Sequence, residues 1–231
     1  MVKSDAARDL LPAVTAILQG RRFVSRRFAG QEFAETLDTQ RFSELGHVVQ
    51  FYTGDAGLLD GLAALVRSSL GAGESVAAVM TSSHRDGLEK RLIVQGIDVS
   101  EAAKNERLVI LDADQALSGF MDADGPSRER FLSQFGNLLR RAQAATLGKS
   151  RRVVVFGEMV AVLWAQKKYE AAIRLEELWN ELALTCSIYL CCAYPASAFA
   201  DRSTGGSYAR ICTQDSGVVS AFADSALTPD H

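Results

Sequence analysis

The chain has 231 residues, 48% of them hydrophobic and 23% charged, with a formal net charge of -3. That composition suits one large globular domain, or one domain with an appendage, and excludes the strongly basic field of a typical nucleic-acid binder. No apolar run approaches the roughly 20 residues of a membrane-spanning helix, and residues 1–10 hold no apolar signal core, so a cytoplasmic location is expected.

Taken in chain order, residues Asp5 to Gln19 carry a helical stripe at Leu10, Leu11, Val14, Ile17 and Leu18, with Ser4 as N-cap. A basic cluster, Arg21, Arg22, Arg26 and Arg27, follows, and a polar stretch without a period runs to Ser43. His47 to Tyr52 (HVVQFY) predicts a strand, and Leu58 to Leu70 a helix closed by Gly71. Val76 to Met80 is a short apolar strand; Ser83 can cap a helix from His84 to about Gln95. Leu108 to Leu111 is a third strand, and Pro126 suits the first turn of a long helix with Phe131, Phe135, Leu138 and Ala142 on one face. Val153 to Phe156 is a fourth strand, Ala171 to Leu182 lies in a helix, and Ser187 to Ala193 is a fifth strand.

The strands are continuous apolar runs, as in strands covered on both faces, and helices alternate with them. The expected fold class is therefore α/β: a three-layer, doubly wound, mostly parallel sheet with an N-terminal helical extension. Eight βα units would need more chain, so an open doubly wound sheet is preferred to a barrel.

In such a sheet, ligands sit at the C-terminal ends of the strands. Those ends carry Phe51 and Tyr52, then Thr81, His84 and Arg85, then Asp112, then Glu158, then Tyr194. No catalytic signature accompanies them: G-x-S-x-G and H-E-x-x-H are absent. Asp112 and Glu158 at strand ends read first as helix caps. The one Gly-Lys-Ser, Gly148-Lys149-Ser150, precedes a strand and lacks the first glycine of a phosphate loop. The loop after the first strand, Thr53 to Asp60, is correctly placed but has two aspartates and no lysine, which disfavours triphosphate binding. The four cysteines, Cys186, Cys191, Cys192 and Cys212, form no C-x-x-C pair; they read as small buried hydrophobes, and no metal site is assigned. Trp164 and Trp179 lie in helical segments, where core packing is the first expectation.

The blocks HVVQFY, TSSHRDGL (from Thr81), RLVILDA (from Arg107), FGEMVAVLW (from Phe156), LEELWN (from Leu175) and CAYP (from Cys192) together resemble the MEDS domain, the DcmR-type sensory domain of methanogens and methylotrophs. The resemblance runs from about Gly46 to Ser220. It departs where Asp215 precedes Ser216, a place where the family often has a histidine. The resemblance implies a sensory module for small organic molecules, on a degenerate RecA/KaiC-like fold without its phosphate-binding lysine. Residues 2–25 resemble the end of a response-regulator receiver domain, with Lys3 as its strand-end lysine; the phospho-accepting aspartate is missing.

These readings divide the chain into a receiver-like helix and linker (1–45), a sensory domain (46–222) and a tail (223–231). The expected function is non-enzymatic: a signal-transduction module that binds a small organic ligand and regulates a partner. That partner would be a response regulator, kinase or transcription regulator; no direct nucleic-acid contact, membrane or cofactor is expected, and a homodimer stays open. The expected ligand neighbours are His47, Phe51, Tyr52, Thr81, His84, Arg85, Asp112, Glu158, Trp164 and Tyr194. Tyr52 and Trp164 would form stackable walls, and His47, His84 and Glu158 would orient polar groups. Two alternatives remain, a nucleotide-binding pseudo-ATPase and a scaffold or interaction protein.

Overall fold

A computed structural model of the protein describes residues 47–147, 151–199 and 217–222 (the last as backbone), with residue 12 alone from the N-terminal stretch. The receiver-like start, Gly148-Lys149-Ser150, the segment around Asp215 and the tail lie outside the described residues.

Six parallel strands form one sheet: β1 (His47–Tyr52), β2 (Ser75–Met80), β3 (Leu108–Asp112), β6 (Val153–Gly157), β7 (Ile188–Pro195) and β8 (Gly217–Phe222). Their order is β3-β2-β6-β7-β1-β8. A two-residue antiparallel ribbon, β4 (Met121–Asp122) with β5 (Gly125–Pro126), stands apart. The helices are α1 (Asp55–Gly71), α2 (Ser82–Val94), α3 (Val99–Lys104), α4 (Ala113–Ser118), α5 (Arg128–Ala144), α6 (Met159–Ala165) and α7 (Tyr169–Thr185).

The continuous apolar runs have the predicted cause. Alternate residues of each strand enter opposite cores. Val76, Ala78 and Met80 of β2, with Val154 and Phe156 of β6, pack under α1 and α2. Ala77, Val79, Val153 and Val155 face the other way, under α4 to α7. The deepest part of that second core is aromatic. Trp179 stands edge-on to Phe131 at 5.1 Å and lies 4.8 Å from Phe135, while Phe120 meets Phe131 edge-on at 5.3 Å. Such tilted pairs add to the area that the rings bury.

Three boundaries differ from the sequence reading. β8 adds a sixth strand at the sheet edge, pairing in parallel with β1. Pro126 lies in β5, and Ser127 caps α5 instead, its side chain accepting from the Arg130 amide at 3.5 Å. α2 starts at Ser82, with Thr81 rather than Ser83 in the cap position. Between α1 and β2, Gly73 is required twice over. Its φ is +82°, and a Cβ there would meet the Leu147 carbonyl oxygen at 2.5 Å.

The winding fixes the place for a site. β2 and β6 are neighbours, yet the chain leaves β2 through α2 on one face and leaves β6 through α6 and α7 on the other. The crevice at their C-terminal ends is a topological switch point of the sheet.

Candidate functional site

Glu158 fills that crevice. It follows β6, is buried, and its amide donates to the Val79 carbonyl at 2.9 Å, extending the β2–β6 pairing by one residue. Its carboxylate does not cap α6; it reaches across to β2. Oε2 accepts from the Thr81 amide at 2.9 Å and from the Thr81 hydroxyl at 3.3 Å. Oε1 lies 2.6 Å from His84 Nδ1. A buried carboxylate is tolerated here because backbone, hydroxyl and imidazole donors replace its water.

His84 is clamped between two acids. Its Nε2 faces Asp55 Oδ1 at 3.3 Å, and Asp55 is exposed in the first turn of α1. With a carboxylate on each nitrogen, both nitrogens donate and the imidazolium is favoured. The hydrogen bond to Glu158 is the main force raising the His84 pKa above its ordinary value; burial opposes it, and the charges of Glu158 and Asp55 add to it. Tyr52 lies edge-on to His84 at 6.1 Å. Burial, then the charges of Glu158 and Asp55, push its phenol well above the ordinary range, so it stays neutral.

Next to this cluster, Ser82 donates to Asp112 Oδ2 at 2.6 Å, and Asp112 Oδ1 accepts from the Gln115 amide at 2.9 Å. Asp112 thus caps α4, as the sequence suggested. The Ser82 hydrogen bond, then that of the Gln115 amide, hold its pKa below the usual carboxylate value. Arg85 pairs with Asp86, 3.3 Å away, and its charge adds to the forces that lower the Asp112 pKa.

The other expected residues stand elsewhere. Trp164 packs with Tyr169, ring centres 4.7 Å apart, and donates from Nε1 to the Ala198 carbonyl at 3.3 Å. It belongs to the core on the face opposite Tyr52, so the two do not form one pair of walls. His47, Phe51 and Tyr194 lie on that same opposite face, beneath α7. Tyr194 donates to Glu176 Oε1 at 2.5 Å, and Phe51 stacks tilted on Tyr194 at 6.2 Å. His47 Nδ1 meets Asn180 Oδ1 at 3.1 Å; its Nε2 lies 3.3 Å from Cys192 Sγ and 3.4 Å from Glu176 Oε2. Cys192 is therefore a member of a polar cluster, not merely a small core residue. Glu176 and Asn180, which the sequence reading passed over, sit one helical turn apart on the buried face of α7.

At the opposite edge of the sheet, the segments leading into β2, β3 and β6 line an open groove of about 850 Å³. Arg67, Leu70, Ile97, Asp98, Arg107 and Leu147 are among its walls.

Comparison with known proteins decides the family. Residues 46–205 match MEDS, the MEthanogen/methylotroph, DcmR Sensory domain. The chain belongs to the MEDS family. No curated protein matches it significantly. Among solved structures it is similar to a KaiC-like protein from the hyperthermophilic archaeon Pyrococcus horikoshii OT3, at 16% identity. That likeness covers 75% of this chain and 71% of the other, with a TM-score of 0.48. MEDS is a family of sensory domains, and the α/β sheet with helices on both faces is the architecture on which this member is built. Among the described residues, no helix is long and apolar enough to cross a membrane.

Proposed function

We propose that this MEDS chain is a non-enzymatic sensory module that binds a small organic molecule at the switch-point crevice and passes the change to a signalling partner. One observation carries the reading: a buried histidine, His84, is fixed from behind by Glu158 at 2.6 Å and faced in front by the exposed Asp55 at 3.3 Å. An exposed carboxylate is easily displaced, because such a pair is worth little in water. A ligand hydroxyl, carbonyl or carboxylate that takes the place of Asp55 gains a charged donor that is already oriented. Tyr52 supplies the apolar wall beside it. Asp55 opens α1, so its displacement moves the start of a helix that packs along α2, and this is the path by which binding would reach the surface.

Native mass spectrometry of the freshly purified full chain tests for a retained small molecule. A thermal-shift screen with short alcohols, amines and carboxylic acids then supplies a probe. The shift given by the best of these compounds is expected to vanish in Glu158→Gln and to shrink in Tyr52→Ala. An unchanged shift in both variants, or loss of the shift in Arg107→Ala at the groove of the opposite edge, sinks the site.

A further inference from the structure

We infer that His47, Cys192 and Glu176 form a binding site for a divalent transition-metal cation, with Zn²⁺ the best fit. Nε2, Sγ and Oε2 of the three residues converge within 4.8 Å of one another, and all three residues are buried. The three edges of the triangle are 3.3 Å (Nε2 to Sγ), 3.4 Å (Nε2 to Oε2) and 3.7 Å (Sγ to Oε2). Tetrahedral zinc, with bonds of about 2.0 Å to nitrogen and oxygen and about 2.3 Å to sulfur, sets the same edges at about 3.5, about 3.3 and about 3.5 Å. The donors therefore already stand near the spacing that a metal requires.

The surrounding groups orient the donors as ligands. Asn180 Nδ2 donates to the Glu176 carbonyl at 3.1 Å, which turns its Oδ1 toward His47 Nδ1. With Nδ1 donating to Asn180, Nε2 is the nitrogen that a neutral His47 ring would turn toward the thiol and the carboxylate as a ligand. Tyr194 donates to Oε1, the other oxygen of Glu176, and so directs Oε2 inward. Hydrogen bonds of this kind, behind each ligand, are characteristic of metal sites. Charge agrees as well. A thiolate, a carboxylate and a neutral imidazole around a 2+ ion sum to zero, which removes the penalty for a charged Glu176 in the core. A mixed N, S and O donor set suits zinc rather than calcium or magnesium. Three protein ligands leave one coordination position for water or another small ligand. The site would bind β1, β7 and α7 together, and it stands independently of the ligand crevice at Glu158.

The full chain, expressed without a histidine tag, provides the test. After stripping with a chelator it should take up about one equivalent of Co²⁺ or Zn²⁺. The cobalt form should show tetrahedral visible bands and a thiolate-to-cobalt absorption in the near ultraviolet. Cys192→Ser should abolish that absorption. Cys191→Ser should keep it, because Cys191 points to the other face, toward Gln50 Oε1 at 3.4 Å. If Cys192→Ser does not fold, the Cys186→Ser/Cys191→Ser/Cys212→Ser chain assigns the band: retained, it belongs to Cys192; lost, the site is wrong. Failure of the wild-type chain to take up either metal, uptake without a thiolate band, or an unchanged band in Cys192→Ser each overturns the proposal.

Discussion

Two buried glutamates, Glu158 and Glu176, show how the same side chain serves two different ends. Glu158 stands at the lip of the sheet, and its main-chain contacts tie two strands together. Its partners are a backbone amide, a hydroxyl and a histidine whose far side meets an exposed acid. Glu176 lies on the buried face of α7 with no exposure, and its partners are the side chains of Tyr194, Cys192 and His47. The first arrangement is closed on one side and open on the other, which suits exchange of a ligand. The second is closed all round, which suits a permanent occupant, whether protons or a metal.

The largest expected effect separates them by stability. Glu176→Ala empties a fully buried site and strips Tyr194, Cys192 and His47 of their shared partner, and should cost about 3–5 kcal/mol. Glu158→Ala leaves the Thr81 amide and His84 without their acceptor and should cost less, about 1–3 kcal/mol, since water can reach the lip. Urea denaturation of the two variants measures the order. If Glu158→Ala is the more damaging, the crevice is the structural keystone and the contrast fails.

The pH dependence comes next. His84 has a raised pKa in the folded protein, so its contribution to stability is complete below the ordinary imidazole value of about 6.5 and fades as pH rises through the raised value. The gap in melting temperature between the wild type and His84→Gln should therefore narrow as pH rises above the ordinary imidazole value of about 6.5. A gap that is constant or widens over that range would mean that His84 folds in as a neutral ring, and the clamp between two acids would be wrong.

The fold beneath this contrast, and the Glu158 half of it, are legible in the sequence. The doubly wound sheet follows from continuous apolar runs, because strands covered on both faces have no polar side to show. The rule that ligands gather at strand ends brought Tyr52, Thr81, His84 and Glu158 together, since each lies within four residues of the end of its strand. Trp164, His47, Phe51 and Tyr194, the other expected neighbours, stand apart from that group. The strand-end rule names an edge of the sheet but not which face a side chain takes: alternation along β1 and β7 sends Phe51 and Tyr194 under α7, while His47 opens β1 at its other end and Trp164 lies within α6. Glu176 escaped notice because a helix with Leu175, Leu178 and Leu182 reads as an amphipathic stripe whose acids face water. Its signal was present: Glu176 follows Leu175 and precedes Trp179 by three, which puts it inside the stripe. β8 was missed because six residues with two adjacent valines and a serine carry little period of either kind. α3 could have been found from Asp98 and Glu101, whose cap hydrogen bond, at 2.8 Å, joins residues three apart.

The smallest expected effect is also the most discriminating. Asp55 is 72% exposed at its side chain, so its pair with His84 at 3.3 Å is screened by water. Asp55→Asn should cost no more than about 0.5 kcal/mol from the ion pair, with a few tenths more from the lost charge at the start of α1. Stability alone would barely register the change. The histidine titration followed by NMR should register it clearly in relation to Glu158. In Asp55→Asn the His84 pKa should remain raised, because the hydrogen bond to Glu158 is the first cause of the shift. In Glu158→Gln it should fall back toward or below the ordinary value, because the remaining burial opposes the charge. The opposite result, an elevation that survives Glu158→Gln and disappears in Asp55→Asn, would place the anchor of the crevice in the solvent-facing acid. A ligand that displaced Asp55 would then lose the charged donor it came for, and the crevice could not serve as the sensor's binding site.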